Sequence, residues 1–297
     1  MRGKSNLFLR RRNLLGAIAY SALLPSPLGA SAAAQRVAVL DWAIAETLFA
    51  LGKPPVALVA ASDWNRFVVE PRLPAGTADI GIQQEVNFEL LAALRPDIIL
   101  TSPFSQDQEP ALARIAPVRR FTVFEPTPSP LERPRRLTRE LGAMIGAERQ
   151  AEALITYSDA QFAACRARLA RLRLPPVLLV GFLDARHVRA YGGVGLYQNV
   201  LETLGLQNAW TKPTNAWGFA TTGIEGLATD KDVRLITFQP VPPDALPTLA
   251  QSPLWRELPF VKAGHMSTLP PVLMFGALPA ALRFARLLTT ELERVAE

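Results

Sequence analysis

The residues that could do covalent chemistry are few and scattered. The chain has two histidines, His187 and His265, far apart in sequence, and one cysteine, Cys165, with no candidate base near it. A nucleophile needs an adjacent base and an orienting group, and no Gly-x-Ser-x-Gly turn is present to supply one. Gly192-Gly193-Val194-Gly195 lacks the third glycine and the strand–turn–helix setting of a dinucleotide fingerprint, and no phosphate-loop pattern occurs. No His, Cys or carboxylate cluster has metal-ligand spacing. A carboxylate pair brought together by the fold stays open. Binding, rather than turnover, is what these residue types suit.

The aromatic residues carry more information. Trp42 follows a first apolar strand at 36–40, Trp64 and Phe67 lie in a loop after a second at 56–60, and Phe104 follows a fourth at 97–101. Trp210, Trp217 and Phe219 share one later segment, and Phe275 follows an apolar run at 272–274. Most stand at carboxyl ends of strands, outside which open α/β sheets bind ligands. Aromatic walls with a few polar groups make a small-molecule cleft. For each ring singly, a place in the core is the competing reading.

The elements that must position these rings alternate strand and helix, which predicts parallel sheets covered on both faces. The first half holds strands at 36–40, 56–60, 78–82, 97–101 and 120–124, with Asp41 and Asn87 as helix caps. Pro126, Pro128, Pro130 and Pro134 mark a boundary. The second half repeats the rhythm, with strands at 176–182, 187–191, 233–238 and 263–269 and a closing helix at 276–295. Between the halves, 147–173 carries apolar residues at spacings of three and four, no Gly or Pro, acids first and arginines last. It is either a strut joining two lobes or a long surface helix. Cys165 lies on its apolar face and reads as buried and inert.

The N-terminus reads as an address. Arg10, Arg11 and Arg12 precede an apolar run over 14–28, and small residues follow at 30–34, the pattern of a secretory signal. Arg11-Arg12-Asn13-Leu14-Leu15 fits a twin-arginine export signal, an uncleaved anchor being the alternative. The whole chain has a formal charge of +6, but 1–34 contributes five basic residues and no acid, leaving 27 basic and 26 acidic. The basic excess therefore gives no support for nucleic-acid binding. With one cysteine, no internal disulfide can form even after export.

Several stretches, in this order and spacing, resemble the periplasmic iron–siderophore binding proteins of ABC importers, most closely the ferric-hydroxamate branch. They are Arg-Val-Ala-Val-Leu-Asp-Trp at 36–42, Ala-Leu-Gly at 50–52, Asp-Ile-Gly at 79–81, Asn-Phe-Glu-Leu-Leu at 87–91 and Leu-Ala-Arg-Ile-Ala-Pro at 112–117. In the second half they are Leu-Asp-Ala-Arg-His at 183–187, Asn-Ala-Trp at 208–210, Thr-Asn-Ala-Trp-Gly at 214–218, Lys-Asp-Val at 231–233, Ser-Pro-Leu-Trp at 252–255 and Pro-Phe-Val at 259–261. The resemblance implies an α/β fold of two lobes with mainly parallel sheets joined by one long backbone helix. That makes 1–34 the signal, 35–127 the first lobe, 128–173 the connecting helices with the backbone helix at 147–173, and 174–297 the second lobe.

It also implies a monomer that captures a ferric siderophore in the periplasm and delivers it to an inner-membrane ABC permease with its cytoplasmic ATPase. No catalysis and no cofactor are implied, because iron enters already chelated. Glu89 and Glu225, one per lobe, fall where such proteins dock on permease arginines; ordinary solvated carboxylates are the competing reading. Trp42 and Trp217 match the ligand-site pattern, and Phe67, Tyr191, Trp210 and Phe275 are further candidates. The pattern is broken where an arginine and a tyrosine contact the chelating oxygens. Here those positions hold Gln83 and Ser105, with Phe104 beside the latter, and a cleft-wall tryptophan position reads Leu273. Alternation along 187–191 puts Arg189 and Tyr191 on one face, so Arg189 either supplies the missing charge from the opposite lobe or is a solvated surface arginine. The departures leave open a carboxylate or mixed siderophore, haem or a corrinoid, and, from another class, an exported enzyme acting on such a chelate.

Overall fold

Strand β1 (Val37–Val39) is buried along its whole length, as an all-apolar strand covered on both faces must be. In the computed structural model, which describes residues 35–125, 129, 131–229 and 231–296, it is the centre of a five-stranded parallel sheet. Strands β2 (Ala57–Leu58) and β3 (Ala78–Asp79) build outward on one side. The chain then forms a small hairpin from β4 (Gly81–Ile82) and β5 (Glu85–Val86). It returns to the other side of β1 as β6 (Ile98–Thr101), followed by β7 (Val118–Arg120). The order reverses between β1 and β6, so their carboxyl ends open the crevice where ligands bind in such sheets.

The second sheet also has five strands, in the order β10 (Phe219–Gly223), β9 (His187–Tyr191), β8 (Val177–Phe182), β11 (Arg234–Phe238), β12 (Met266–Leu269). Only the β8–β11–β12 side is parallel; β8–β9 and β9–β10 are antiparallel. The expectation of mainly parallel sheets thus holds for the first lobe and half of the second. The four residues 183–186 between β8 and β9 are too few for a parallel crossover, which needs a dozen or more. Strand β10 does not announce itself, because Phe-Ala-Thr-Thr-Gly is short and ends on glycine.

Each sheet is sandwiched between two apolar clusters. The two lobes are joined by the helix Glu148–Leu169, whose 22 residues span roughly 33 Å. It is shorter than the 147–173 expected. The helix ends at Ala170 and the chain tightens beyond it, Arg171 N donating to the Arg168 carbonyl (3.3 Å) and Leu172 N to the Leu169 carbonyl (3.0 Å), before Leu174-Pro175-Pro176. Its Ala151 packs in the core of the first lobe, and Ile155, Phe162, Cys165 and Leu169 pack in that of the second. It is therefore a strut, not a surface helix. The closing helix Leu278–Arg294 runs alongside, and the change of core falls between Ala277 and Leu278. The signal at 1–34 and the prolines 126, 128 and 130 lie outside the described residues.

Candidate functional site

Two cavities of about 390 and 450 Å³ open between the lobes, and Trp42, Leu273 and Phe275 line both. The smaller adds Phe67, Arg189, Tyr191, Phe238 and Gln239, and the larger adds Ile82, Gln83, Gln84 and Phe104. Trp42 comes directly after β1, where Asp41 caps the helix Trp42–Ala50 by accepting from Ala43 N (2.8 Å) and Ile44 N (3.4 Å). The Trp42 indole N–H donates to the Val59 carbonyl at 2.8 Å, so the ring offers a ligand its face and edge. Phe67 stands 6.2 Å from it.

The far rim is aromatic. Phe104 of the first lobe and Trp217 of the second stack across the cleft, with centroids 4.7 Å apart and planes inclined by 23°. Phe275 lies 6.1 Å from both, and Phe124 is 6.1 Å from Trp217 and 6.2 Å from Phe275. The Trp217 loop is fixed from its base: Asn215 Oδ1 accepts from Trp217 N (2.9 Å) and Phe219 N (3.3 Å). Gly218, at φ +78°, packs so closely on the glycine turn that a Cβ there would lie 2.2 Å from the Gly195 Cα. The glycines at 192–195 serve this backbone contact, not a phosphate.

Arg189 and Tyr191 project from one face of β9, as alternation requires, while Val188 and Ala190 are buried on the other. The guanidinium lies 4.9 Å from the centre of the Phe219 ring, and Nη1 is 3.8 Å from Met274 Sδ. Among the described residues no carboxylate pairs with it, which leaves most of its five donors free in the cleft. The Tyr191 hydroxyl is 3.7 Å from the same sulfur. Burial pushes that phenol up to about 12, against the pull of Arg189, so it stays protonated.

The sequence model for periplasmic binding proteins matches residues 37–273. The chain belongs to the periplasmic binding protein family. It is 33% identical over 283 residues to the iron(3+)-hydroxamate-binding protein FhuD of Escherichia coli, covering 94% of this chain and 95% of that one. It is 26% identical over 256 residues to the achromobactin-binding periplasmic protein of Dickeya dadantii, covering 80% of each. The crystal structure of the siderophore-binding protein FhuD of Vibrio cholerae with Fe3+–Desferal superposes with a TM-score of 0.83 at 31% identity, over 89% of this chain and all (100%) of that one.

In this periplasmic binding protein two expected site residues, Ser105 and Trp210, sit away from the cleft, and a third, Gln83, lines it already engaged. Ser105 is 1% exposed, and its hydroxyl has no partner among the described residues. It belongs to the 3₁₀ segment Pro103–Gln108, which kinks at Ser105 (φ −111°, ψ 15°); Ser102 and Ser105 are buried while Pro103, Phe104, Gln106 and Asp107 are exposed. Phe104 faces the cleft instead. Gln83 lines the cleft, but its side-chain amide donates to the Leu40 carbonyl at 2.9 Å, and its backbone carbonyl accepts from the Gln108 side-chain amide. It therefore braces the wall rather than presenting both donors to a ligand. Trp210 is buried with Leu178, Val180 and Val188 under the second sheet, with Lys212 Nζ 5.1 Å from its ring. Trp64, fully buried, donates to the Pro71 carbonyl at 2.7 Å. Sequence reasoning passed over Phe124 and Met274. Phe124 follows β7 closely enough for the strand-end rule to have found it; nothing in the sequence marks Met274.

Both histidines are engaged locally. His187 Nδ1 lies 3.0 Å from Asp184, and His265 Nδ1 is 2.9 Å from Asp232. The Asp184 carboxyl is held down at about 2 by His187 and by backbone N–H groups. Glu89, in the helix Phe88–Ala93 capped by Asn87, and Glu225, in the 3₁₀ turn Ile224–Leu227, are exposed and take part in no ion pair among the described residues.

Proposed function

We propose that this periplasmic binding protein captures a ferric siderophore, hydroxamates first, and delivers it to an inner-membrane ABC permease. The observation that carries the reading is the cleft itself. Aromatic rings from both lobes face one another across it, and one guanidinium without a carboxylate partner stands in its wall. Rings hold the organic shell of a chelate, and Arg189 meets its oxygens with charge-assisted hydrogen bonds. That Arg189 lies on the second lobe, opposite braced Gln83, supports its taking over the charge that hydroxamate binders of this type place on the first. Catalysis is no part of this reading, since iron arrives and leaves inside its ligand.

The chain acts as a monomer in the periplasm, sent there by the twin-arginine signal at 1–34. Glu89 and Glu225 are its contacts with the permease, and uptake by cells carrying both charge-reversed variants should fail while chelate affinity is kept. A second reading, a carboxylate or mixed siderophore, is favoured by the loss of the first-lobe charge and by the achromobactin-binding relative.

Tryptophan quenching with a panel of ferric and iron-free siderophores tests the reading. Quenching by ferric hydroxamates, without product formation, is expected. Quenching only by ferric carboxylate chelates selects the second reading, and no response to any ferric chelate refutes both.

A further inference from the structure

Glu46 is a carboxylic acid in an apolar place. It lies in the helix Trp42–Ala50 of the first lobe and is 1% exposed. Its Oε1 accepts from the backbone N–H of Ala277, and the N–H of Ala280 lies close enough to favour the charged carboxyl as well. Ala277 is the N-cap residue of the helix Leu278–Arg294. The first N–H groups of a helix have no partner within it, and an alanine cap cannot supply one. Glu46, from the other lobe, supplies it.

The bond falls on the joint between the lobes. Ala277 is packed in the core of the first lobe and Leu278 in that of the second. Gly276 permits the approach, because a Cβ there would lie 2.8 Å from Glu46 Oε1 and 2.3 Å from the Ala280 Cβ. Just upstream, Leu273 and Phe275 line both cavities, and Met274 meets Arg189 and Tyr191.

Among the described residues no cation pairs with Glu46. On the helices packed against it, Arg283 and Arg286 pair with Glu70, and Arg133 pairs with Glu140. The charged group that acts on it is Asp41, of like sign. Burial pushes the Glu46 carboxyl up to about 8, against the pull of the two N–H groups, so at neutral pH it is mostly protonated and accepts through a neutral oxygen.

We propose that Glu46 is the positioning residue of the cleft: from the first lobe it pins the start of the closing helix, and so holds 273–275 in register with Arg189. The consequence for ligand affinity rests on the cleft being the chelate site; the pinning itself does not.

Two variants separate the parts. Glu46→Gln keeps the carbonyl acceptor and removes the titrating proton; Glu46→Ala removes both. The measurements are hydrogen-exchange protection of the Ala277 and Ala280 amides in ligand-free protein, and affinity for Fe3+–Desferal, each from about pH 6 to about pH 9. Glu46→Gln should keep both properties and be flat with pH. The parent chain should lose protection and affinity several-fold above about pH 8 as an uncompensated charge forms beside Asp41. Glu46→Ala should lose about tenfold in each while the helix Glu148–Leu169 stays protected. Unchanged protection in a folded Glu46→Ala, or the same pH profile in the parent and Glu46→Gln, overturns the proposal. Should Glu46→Ala not fold, the profile comparison decides. If the parent chain ignores Fe3+–Desferal, that chelate reading fails and the exchange measurement alone decides.

Discussion

At the scale of single residues, the cleft divides its labour between flat apolar faces and one charge. Trp42 and Gln83 have spent hydrogen-bonding capacity on the protein, which leaves Arg189 as the cation of the smaller cavity. Hydrogen bonds from a charged donor are worth roughly 1.5–3 kcal/mol. Arg189→Ala should therefore weaken binding of Fe3+–Desferal by about ten- to a hundredfold, and Arg189→Lys should recover only part, because it lacks the planar fork. Unaltered affinity in Arg189→Ala would end this assignment. Glu46 makes a separate prediction about stability. Its folded pKa is raised from 4.5 to about 8, so between those values the unfolded chain has lost a proton that the folded one keeps. The contribution is whole below about pH 4.5 and drains away up to about pH 8, with a slope of at most about 1.4 kcal/mol per pH unit. Urea unfolding across that range should show the decline, and Glu46→Gln should flatten it. The sequence shows Glu46 only as an acid amid Ala, Ile, Thr and Leu; its partner's distance along the chain hides the role.

At the scale of elements, local signals were legible and long-range pairing was not. Asp41 and Asn87 cap helices where their side chains and the following apolar runs said they would. The alternation in β9 put Arg189 and Tyr191 together because a period of two is fixed by backbone geometry. What failed depended on partners. Strand β10 exists because β9 lies beside it, and Ser105 is buried where the short segment after β6 kinks. The Trp217 loop shows how such contacts are enforced. Gly218→Ala would place a Cβ at positive φ against the Gly195 backbone. It should cost on the order of 1–3 kcal/mol of stability and weaken chelate binding through Trp217. A melting curve identical to that of the parent chain would show the contact to be slack.

At the scale of the whole molecule, the two-lobe α/β plan was readable from strand–helix rhythm, and the strut from an apolar stripe without Gly or Pro. Its length differs from the reading because charge and pattern continue through Arg173, whereas the backbone switches to i→i−3 bonds after Leu169. A continuous helix buried in both cores resists wide hinge bending, so ligand binding should change the lobe angle little. Scattering profiles with and without chelate should nearly superimpose, and a marked compaction would contradict a stiff connector. The rim stack of Phe104 on Trp217 should then open by side-chain rotation rather than lobe travel.

The change of core between Ala277 and Leu278 adds a mechanical consequence. The closing helix packs along the backbone helix; its N-cap Ala277 lies in the first core and its own buried residues lie in the second. A single rod can twist about its own axis, but two rods fastened side by side behave as a plank. The plank flexes across its thin direction and strongly opposes torsion. Any motion of the lobes should therefore favour bending across that thin direction over twisting.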